Sequence, residues 1–408
     1  MSRGTGWIGD LLAAARPQAV AALLRHFRDL DRAEEAFQEA CVRALRTWPE
    51  KGPPRNAAAW LIMVGRNAMI DAARRTKREA PLAREEAIPD AGTGQDATVA
   101  RIDEADYRDD ILRLLFVCCH PVLKPTDQVA LSLRIVGGLS VGQIARAFLV
   151  GDSAMEQRIT RAKRRIAQAD VGYEVPGPVE RAERIGAVAG VIYLVFNEGY
   201  TTGIAAEGAR AALCEEAIRL GRLLQRLFPT EPEIMGLLAL MLLQHARAGA
   251  RFDDAGEVIP LDRQDRARWD GVRIAEGRAL VDKAARHARP GGYQLQAAIA
   301  AQHARAQGTD WGRIAQLYAA LEHLQPSPVV TLNRAVALLK AGQAEDAWGL
   351  VAPLASQLDG YFYFHGARGA ILRALGRADE AREAFAQAIS LANTAAEAAH
   401  MRDQLDAL

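Results

Sequence analysis

The chain has 408 residues, half of them hydrophobic and a quarter charged, with 51 Lys and Arg against 50 Asp and Glu for a formal charge of +1. Such values describe a soluble globular protein of two or three domains. They exclude a global polycation, and the absence of a membrane-length apolar run or an apolar leader core predicts a cytoplasmic protein with no membrane partner, whose nucleic-acid affinity must come from a local patch.

Nearly everything reads as helix, because alternating strand patterns are almost absent. Asp29 to Trp48 is amphipathic: Ala33, Phe37, Ala40, Cys41, Ala44, Leu45 and Trp48 form an apolar side, and Glu34, Glu35, Gln38 and Glu39 an acidic one. The loop WPEKGPPRN follows, and then Ala57 to Glu79 opens apolar and aromatic and closes on Arg74, Arg75, Lys77 and Arg78. Taken singly, an acidic helix is a solvated surface and a basic helix end complements the dipole. Together they suit one small module that grips a protein partner and single-stranded DNA. Residues 79–103 are rich in Pro, Gly, Asp and Glu and predict a flexible linker. Some 25 flexible residues reach only about 25–30 Å, so such a linker must extend to span two distant sites.

The apolar run ILRLLFVCCHPVL at 111–123 contains Cys118, Cys119 and His120, but its setting predicts buried structural thiols and no metal site. Four cysteines without a CxxC pair fit a reducing compartment. Ser140 to Ile166 then predicts two helices joined by a tight turn at Gly151. Ser140 with Gln143, and Ser153 with Glu156, are capping-box pairs that place helix starts near 141 and 154. Ile144, Ala145 and Phe148 face Met155, Ile159, Ala162 and Ile166, which recur at helical steps. The outward face carries Glu156, Gln157, Arg158, Arg161, Lys163, Arg164 and Arg165. This is the layout of a helix-turn-helix, with Ser153, Glu156, Gln157 and Arg158 nearest base edges and the later basic residues on phosphates.

VGYEVPGP at 171–178 breaks the helical pattern. Phe196 to Tyr200 reads equally as a helix end capped by Gly199 or as a polar contact through Asn197, Glu198 and Tyr200. Arg251 to Asp262 is the one plausible hairpin. In the rear third, AGQAEDA at 341–347 matches LGRADEA at 375–381, 34 residues apart, with Leu338 and Leu372 and Arg334 and Arg368 in the same phase. That is the tetratricopeptide period. The expected fold is all-α: domains at 1–80 and 106–170, a linker at 81–105, and a helical repeat extension at 171–408, clearest at 311–393.

AEEAFQEACVRALRTWP, AWLIMVGRNAMIDAARRTKRE and QRITRAKRRI, in this order and with a short linker, resemble regions 2 and 4 of the extracytoplasmic-function class of bacterial sigma-70 factors over about residues 10–168. The remainder, including YLVFNEGYTTG, LLALMLLQHAR and DRQDRARWD, resembles a subgroup with a tetratricopeptide-like C-terminal extension. The resemblance implies a factor that binds core RNA polymerase, at the β′ clamp and the β flap, and promoter DNA. It places Asp31, Glu34, Glu35, Gln38, Glu39 and Leu45 on polymerase. It places Trp48, Lys51, Arg55, Asn56, Trp60, Arg66, Asn67, Arg74, Arg75, Lys77 and Arg78 on the −10 element. Ser140, Ser153, Glu156, Gln157, Arg158, Arg161, Lys163, Arg164 and Arg165 fall on the −35 element. The extension would regulate the factor by touching its sigma domains or a protein partner. No catalytic or cofactor constellation is expected: the histidines (among them His120, His245, His287, His303 and His323) are scattered, and no P-loop occurs. The rival reading is a helix-turn-helix regulator fused to a repeat scaffold, binding duplex DNA without polymerase.

Overall fold

The computed structural model describes residues 6–78, 104–148, 150–169, 178–200, 207–252, 259–305, 308–392 and 394–408, and the regular elements among them are helices. The expected linker and most of the break at 171–178 lie outside the described residues. The chain divides into two compact units, residues 1–201 with 208–220, and residues 202–207 with 221–408.

In the first unit α1 (Gly6–Phe27), α2 (Leu30–Lys51) and α3 (Ala57–Arg78) pack on one another. Asp29 caps α2 by accepting the Arg32 N–H at 3.0 Å. The apolar stripe Ala33, Phe37, Ala40, Ala44 and Trp48 is buried as its spacing requires. Leu45, assigned to that stripe from sequence, is 51% exposed, because it lies about 100° round the helix from Ala44. α3 approaches α2 so closely that a Cβ at Gly65 would stand 2.5 Å from the Ala36 carbonyl oxygen.

α4 (Glu104–Cys118) packs on α1 and carries the apolar run into the core. Cys118 and Cys119 are buried as expected, and burial pushes the Cys119 thiol up to about 12, which keeps it protonated and inert. α5 (Pro125–Ser132) widens into a π turn, Leu133–Gly137, ended by Gly138 in the left-handed conformation at φ +77°. α6 (Val141–Ala147) and α7 (Asp152–Gln168) complete the helix-turn-helix. The Ser140–Gln143 capping box forms in both directions. The second box does not: the Val150 N–H bonds back to the Ala145 carbonyl at 3.0 Å, and the turn closes so early that Gly151 is the N-cap and Ser153 already lies in the first turn. Met155, Ile159, Ala162 and Ile166 form the buried stripe expected of α7. α8 (Pro178–Tyr200) packs on α4 and α5, and α9 (Glu207–Leu227) begins in this unit. Gly199 lies inside α8 and does not cap it.

The second unit takes the end of α9 and then α10 (Pro232–His245), α11 (Gly271–Ala285), α12 (Gly292–His303), α13 (Trp311–Leu324), α14 (Pro328–Lys340), α15 (Ala344–Val351), α16 (Phe362–Ala374), α17 (Ala378–Leu391) and α18 (Ala395–Asp406). Successive helices from α10 to α18 pack on their neighbours in sequence, as in a helical repeat array. The 34-residue repeat is visible in the backbone. The Gly342 N–H bonds to Leu339 at 3.0 Å and the Gln343 N–H to Leu338 at 2.9 Å, and Gly376 and Arg377 make the same bonds to Arg373 and Leu372 at 3.0 and 2.9 Å. Both glycines have positive φ, +83° and +74°, so each repeat turns through the same Schellman cap. Of the expected hairpin at 251–262, residues 253–258 lie outside the described residues, and the flanks are joined by the Ile259 N–H on the Arg251 carbonyl at 2.7 Å.

Candidate protein and nucleic-acid interfaces

The outer face of α2 presents Glu35, Gln38 and Glu39 to solvent, followed by Val42 and Leu45. It is an acidic strip running into an exposed apolar pair, a surface suited to a protein partner with basic and apolar groups. Val42, 43% exposed, was not picked out from sequence, since one valine in a helix gives no facial signal. Asp31 is also exposed, but Glu34 is not. One helical position from Glu35, it points into the unit and is buried with Arg16. Its expected place on the solvent-facing acidic side is therefore corrected.

The loop after α2 is held at both ends. Gly52, at φ +77°, donates its N–H to the Trp48 carbonyl at 2.9 Å, and the Asn56 side chain accepts the Ala59 N–H at 3.0 Å to start α3. Lys51, Arg55 and Asn56 are exposed, as are Arg66 and Asn67 one face along α3, while Trp60 is half-buried. Trp48 is 2% exposed and meets Trp60 edge-on, ring centroids 5.3 Å apart. It anchors the loop from below, with its ring closed off from solvent. Arg74, Arg75, Lys77 and Arg78 continue α3, and their side chains lie outside the described residues.

On α7, Ser153, Glu156, Gln157, Arg161, Arg164 and Arg165 are exposed and Arg158 is partly so; Ser140 is exposed at the start of α6. Arg165 reaches Asp127 at 3.5 Å. Lys163 behaves differently. Its side chain is 17% exposed, and its Nζ donates to Asp31 at 2.6 Å and to Glu34 at 2.7 Å, both on α2. Burial would lower its pKa, but the two carboxylate bonds outweigh that and raise it. The other Glu34 oxygen accepts the Arg16 guanidinium at 3.0 Å. Arg16 also donates to the Ile135 carbonyl at 2.9 Å and the Arg134 carbonyl at 3.1 Å, and lies over the Phe37 ring at 4.9 Å. Arg134 comes within 3.6 Å of Glu34. No local pattern marks Arg16 or Arg134: the carbonyls that Arg16 bonds lie 118 and 119 positions away, and Arg134 itself stands in the π turn.

α8 and the first part of α9 are joined to the helix-turn-helix half. The Arg184 guanidinium lies over the Phe116 ring at 5.8 Å, and Arg219 donates to the Val136 carbonyl at 3.3 Å while held by Glu216. Asn197, Glu198 and Tyr200 are half-buried at the end of α8, where Tyr200 stacks on Phe196 at 5.3 Å. In the second unit, a cavity of about 560 Å³ between α11, α12 and α13 carries Arg278, Arg289, Arg305 and Arg313, with Asp282 the one acid among the described lining residues.

Residues 11–79 match sigma-70 region 2, and residues 113–166 match sigma-70 region 4. The two regions stand in family order, and together they support a sigma-70 family factor acting in transcription initiation through core RNA polymerase and promoter DNA. Region 2 covers most of α1 and all of α2 and α3, and region 4 covers the end of α4, then α5, α6 and most of α7, so the acidic strip and the helix-turn-helix fall in the two matched regions. Residues 184–285 match a family of unknown function (DUF6596). An uncharacterized protein of Rhizobium meliloti (strain 1021) is 61% identical over 407 residues, 99% of this chain and 96% of that one. The crystal structure of yeast Tom70 aligns at a TM-score of 0.37 and 13% identity, over 99% of this chain and 86% of that one. No helix among the described residues is long and apolar enough to cross a membrane.

Proposed function

We propose that the chain is a cytoplasmic sigma factor of the extracytoplasmic-function class that docks on the polymerase β′ clamp through Glu35, Gln38, Glu39 and the exposed Val42–Leu45 pair. Region 2 then holds the opened −10 strand through the Lys51–Asn56 loop and the α3 face carrying Trp60, Arg66 and Asn67. The basic end of α3, Arg74 to Arg78, lies along the backbone, where phosphate contacts need only positive charge. Region 4 reads the −35 element with Ser153, Glu156, Gln157 and Arg158, and its later arginines hold phosphates, while region 4 also meets the β flap. The chain recruits and positions and performs no covalent chemistry. The extension is a tetratricopeptide-like regulator, and its arginine-lined groove supports a docking role for it.

The observation that carries this reading is the exposed acidic strip of α2 within a matched region 2, on the same chain as the helix-turn-helix of a matched region 4. A reconstituted run-off transcription assay tests it. Promoter-specific transcripts should appear only when the full chain is added to core polymerase, and the double reversal Glu35→Lys with Glu39→Lys should reduce them at least tenfold. Sequence-specific duplex binding without polymerase, indifferent to the double reversal, would instead establish a conventional regulator.

A further inference from the structure

The hollow between α11, α12 and α13, about 560 Å³ in volume, lies wholly within the second unit. Its floor is apolar: Val281 and Ala285 on α11, Leu295 and Ala298 on α12, and Leu317 on α13. The alanines leave the space open, since larger side chains would fill the gap between three helices. Its rim is basic. Arg278, Asp282 and Ala285 recur at steps of four and three, so one face of α11 supplies a cation, an acceptor and part of the floor. Arg289 stands in the turn after α11, next to Ala288, whose φ of +50° lies in the left-handed region that alanine adopts rarely. Arg305 follows α12, and Arg313 stands in the first turn of α13. Each segment around the hollow thus brings one arginine.

These arginines are available to an incoming anion. Arg278 is exposed and meets no carboxylate among the described residues, and Arg313 donates to the neutral Gln316 amide at 3.0 Å. Arg289 pairs with Glu231 at 3.1 Å and Arg305 with Asp310 at 3.4 Å. Both pairs are open to solvent, so each contributes little and exchanges readily for a ligand carboxylate. A guanidinium fork matches a carboxylate through two parallel hydrogen bonds.

Three features select the ligand. No aromatic ring is among the described lining residues, so a nucleotide base finds nothing to stack on. Asp282 stands among the arginines as an acceptor, which repels a phosphate chain and takes an N–H from a peptide backbone. Arg278, Asp282, Ala285 and Arg289 are exposed, so the hollow is an open cleft that an extended chain can cross.

We propose that this cleft docks an acidic peptide segment of a partner protein, which lays one apolar side chain on the alanine floor and its carboxylates on the arginine rim. The proposal rests on the docking role given to the extension, and not on what the rest of the chain does at a promoter.

The test is peptide capture by the full chain. An array of ten-residue peptides, varied in their number of Asp and Glu and each carrying one Leu, Ile or Phe, is probed, and the best binder is labelled with fluorescein and titrated by anisotropy. Retention should rise with acidic content, and affinity should fall with salt. The double variant Arg278→Glu with Arg313→Glu, which breaks no described ion pair, should weaken binding at least tenfold. Ala298→Leu, which fills the floor and leaves the charge, should also weaken it, and exchanging the peptide's apolar residue for Ser should then cost nothing further. Circular dichroism should show each variant folded. Array retention without acidic preference, affinity indifferent to both variants, or displacement of the peptide by tripolyphosphate at lower concentration than by unlabelled peptide would overturn the proposal. Peptides captured with no response to either variant would leave the extension a docking role elsewhere. Absence of promoter-specific transcripts would overturn the sigma-factor reading alone, because capture is read without polymerase.

Discussion

Glu34 and Glu35 are neighbours in sequence and opposites in environment. One helical step turns Glu34 into the unit, where Arg16 and Lys163 neutralise it, and leaves Glu35 in water. The amphipathic pattern made Glu35, Gln38 and Glu39 legible, because exposure follows from distance round the helix to the apolar stripe. Glu34 was not legible, because its burial depends on cations brought by other parts of the chain. Gly65 illustrates the same limit. Its sequence context is an unremarked glycine in mid-helix, yet the Ala36 backbone occupies the space of its missing side chain. Gly65→Ala should destabilise the first unit by about 1–2 kcal/mol. The overpacking cost against an immovable carbonyl, roughly 1–3 kcal/mol, outweighs the gain in helix propensity of up to about 1 kcal/mol. Urea denaturation with a fixed m-value checks it.

At the scale of elements, the apolar stripes of α2 and α7 and the 34-residue turn pattern were recoverable because each is a local periodicity. The start of α7 was not, since it depends on how the Val150 N–H closes the turn onto α6. α12 gives a prediction of its own. His303, at its C-terminal end, meets Trp311 edge-on at 5.3 Å, and its Nδ1 is buried without a hydrogen-bond partner. Burial, with Arg247 and Arg266 nearby, lowers its pKa from 6.5 to about 4. The unfolded chain therefore binds a proton that the folded helix refuses. Stability of the second unit should be full above pH 6.5 and fall by about 3 kcal/mol as pH drops to about 4. His303→Gln should remove that part of the slope, measured as the difference between denaturant midpoints at pH 7 and pH 4.5.

At the scale of the whole molecule, the first compact unit does not stop where the sigma-70 matches stop. It includes α8 and the first part of α9, whose Val188, Val191, Ile192, Val195, Phe196 and Leu213 are buried. A chain ending at residue 169 should lose stability relative to one ending at 220, by at least about 3 kcal/mol, since a buried aliphatic or aromatic side chain contributes roughly 1.5–3 kcal/mol. Both forms contain only Trp7, Trp48 and Trp60, so tryptophan fluorescence in urea reports this unit alone. Equal midpoints would show that α8 and α9 add nothing to it. By itself the amino-acid sequence determined the all-α class, the two modules with their order, the helix-turn-helix and the repeat period, because capping, periodicity and turn chemistry act over a few residues. Only the tertiary structure decided that Glu34 is buried, that Lys163 is held by α2 and that Trp48 lies beneath its loop. Those outcomes are set by charges and surfaces distant along the chain, whose meeting no local pattern encodes.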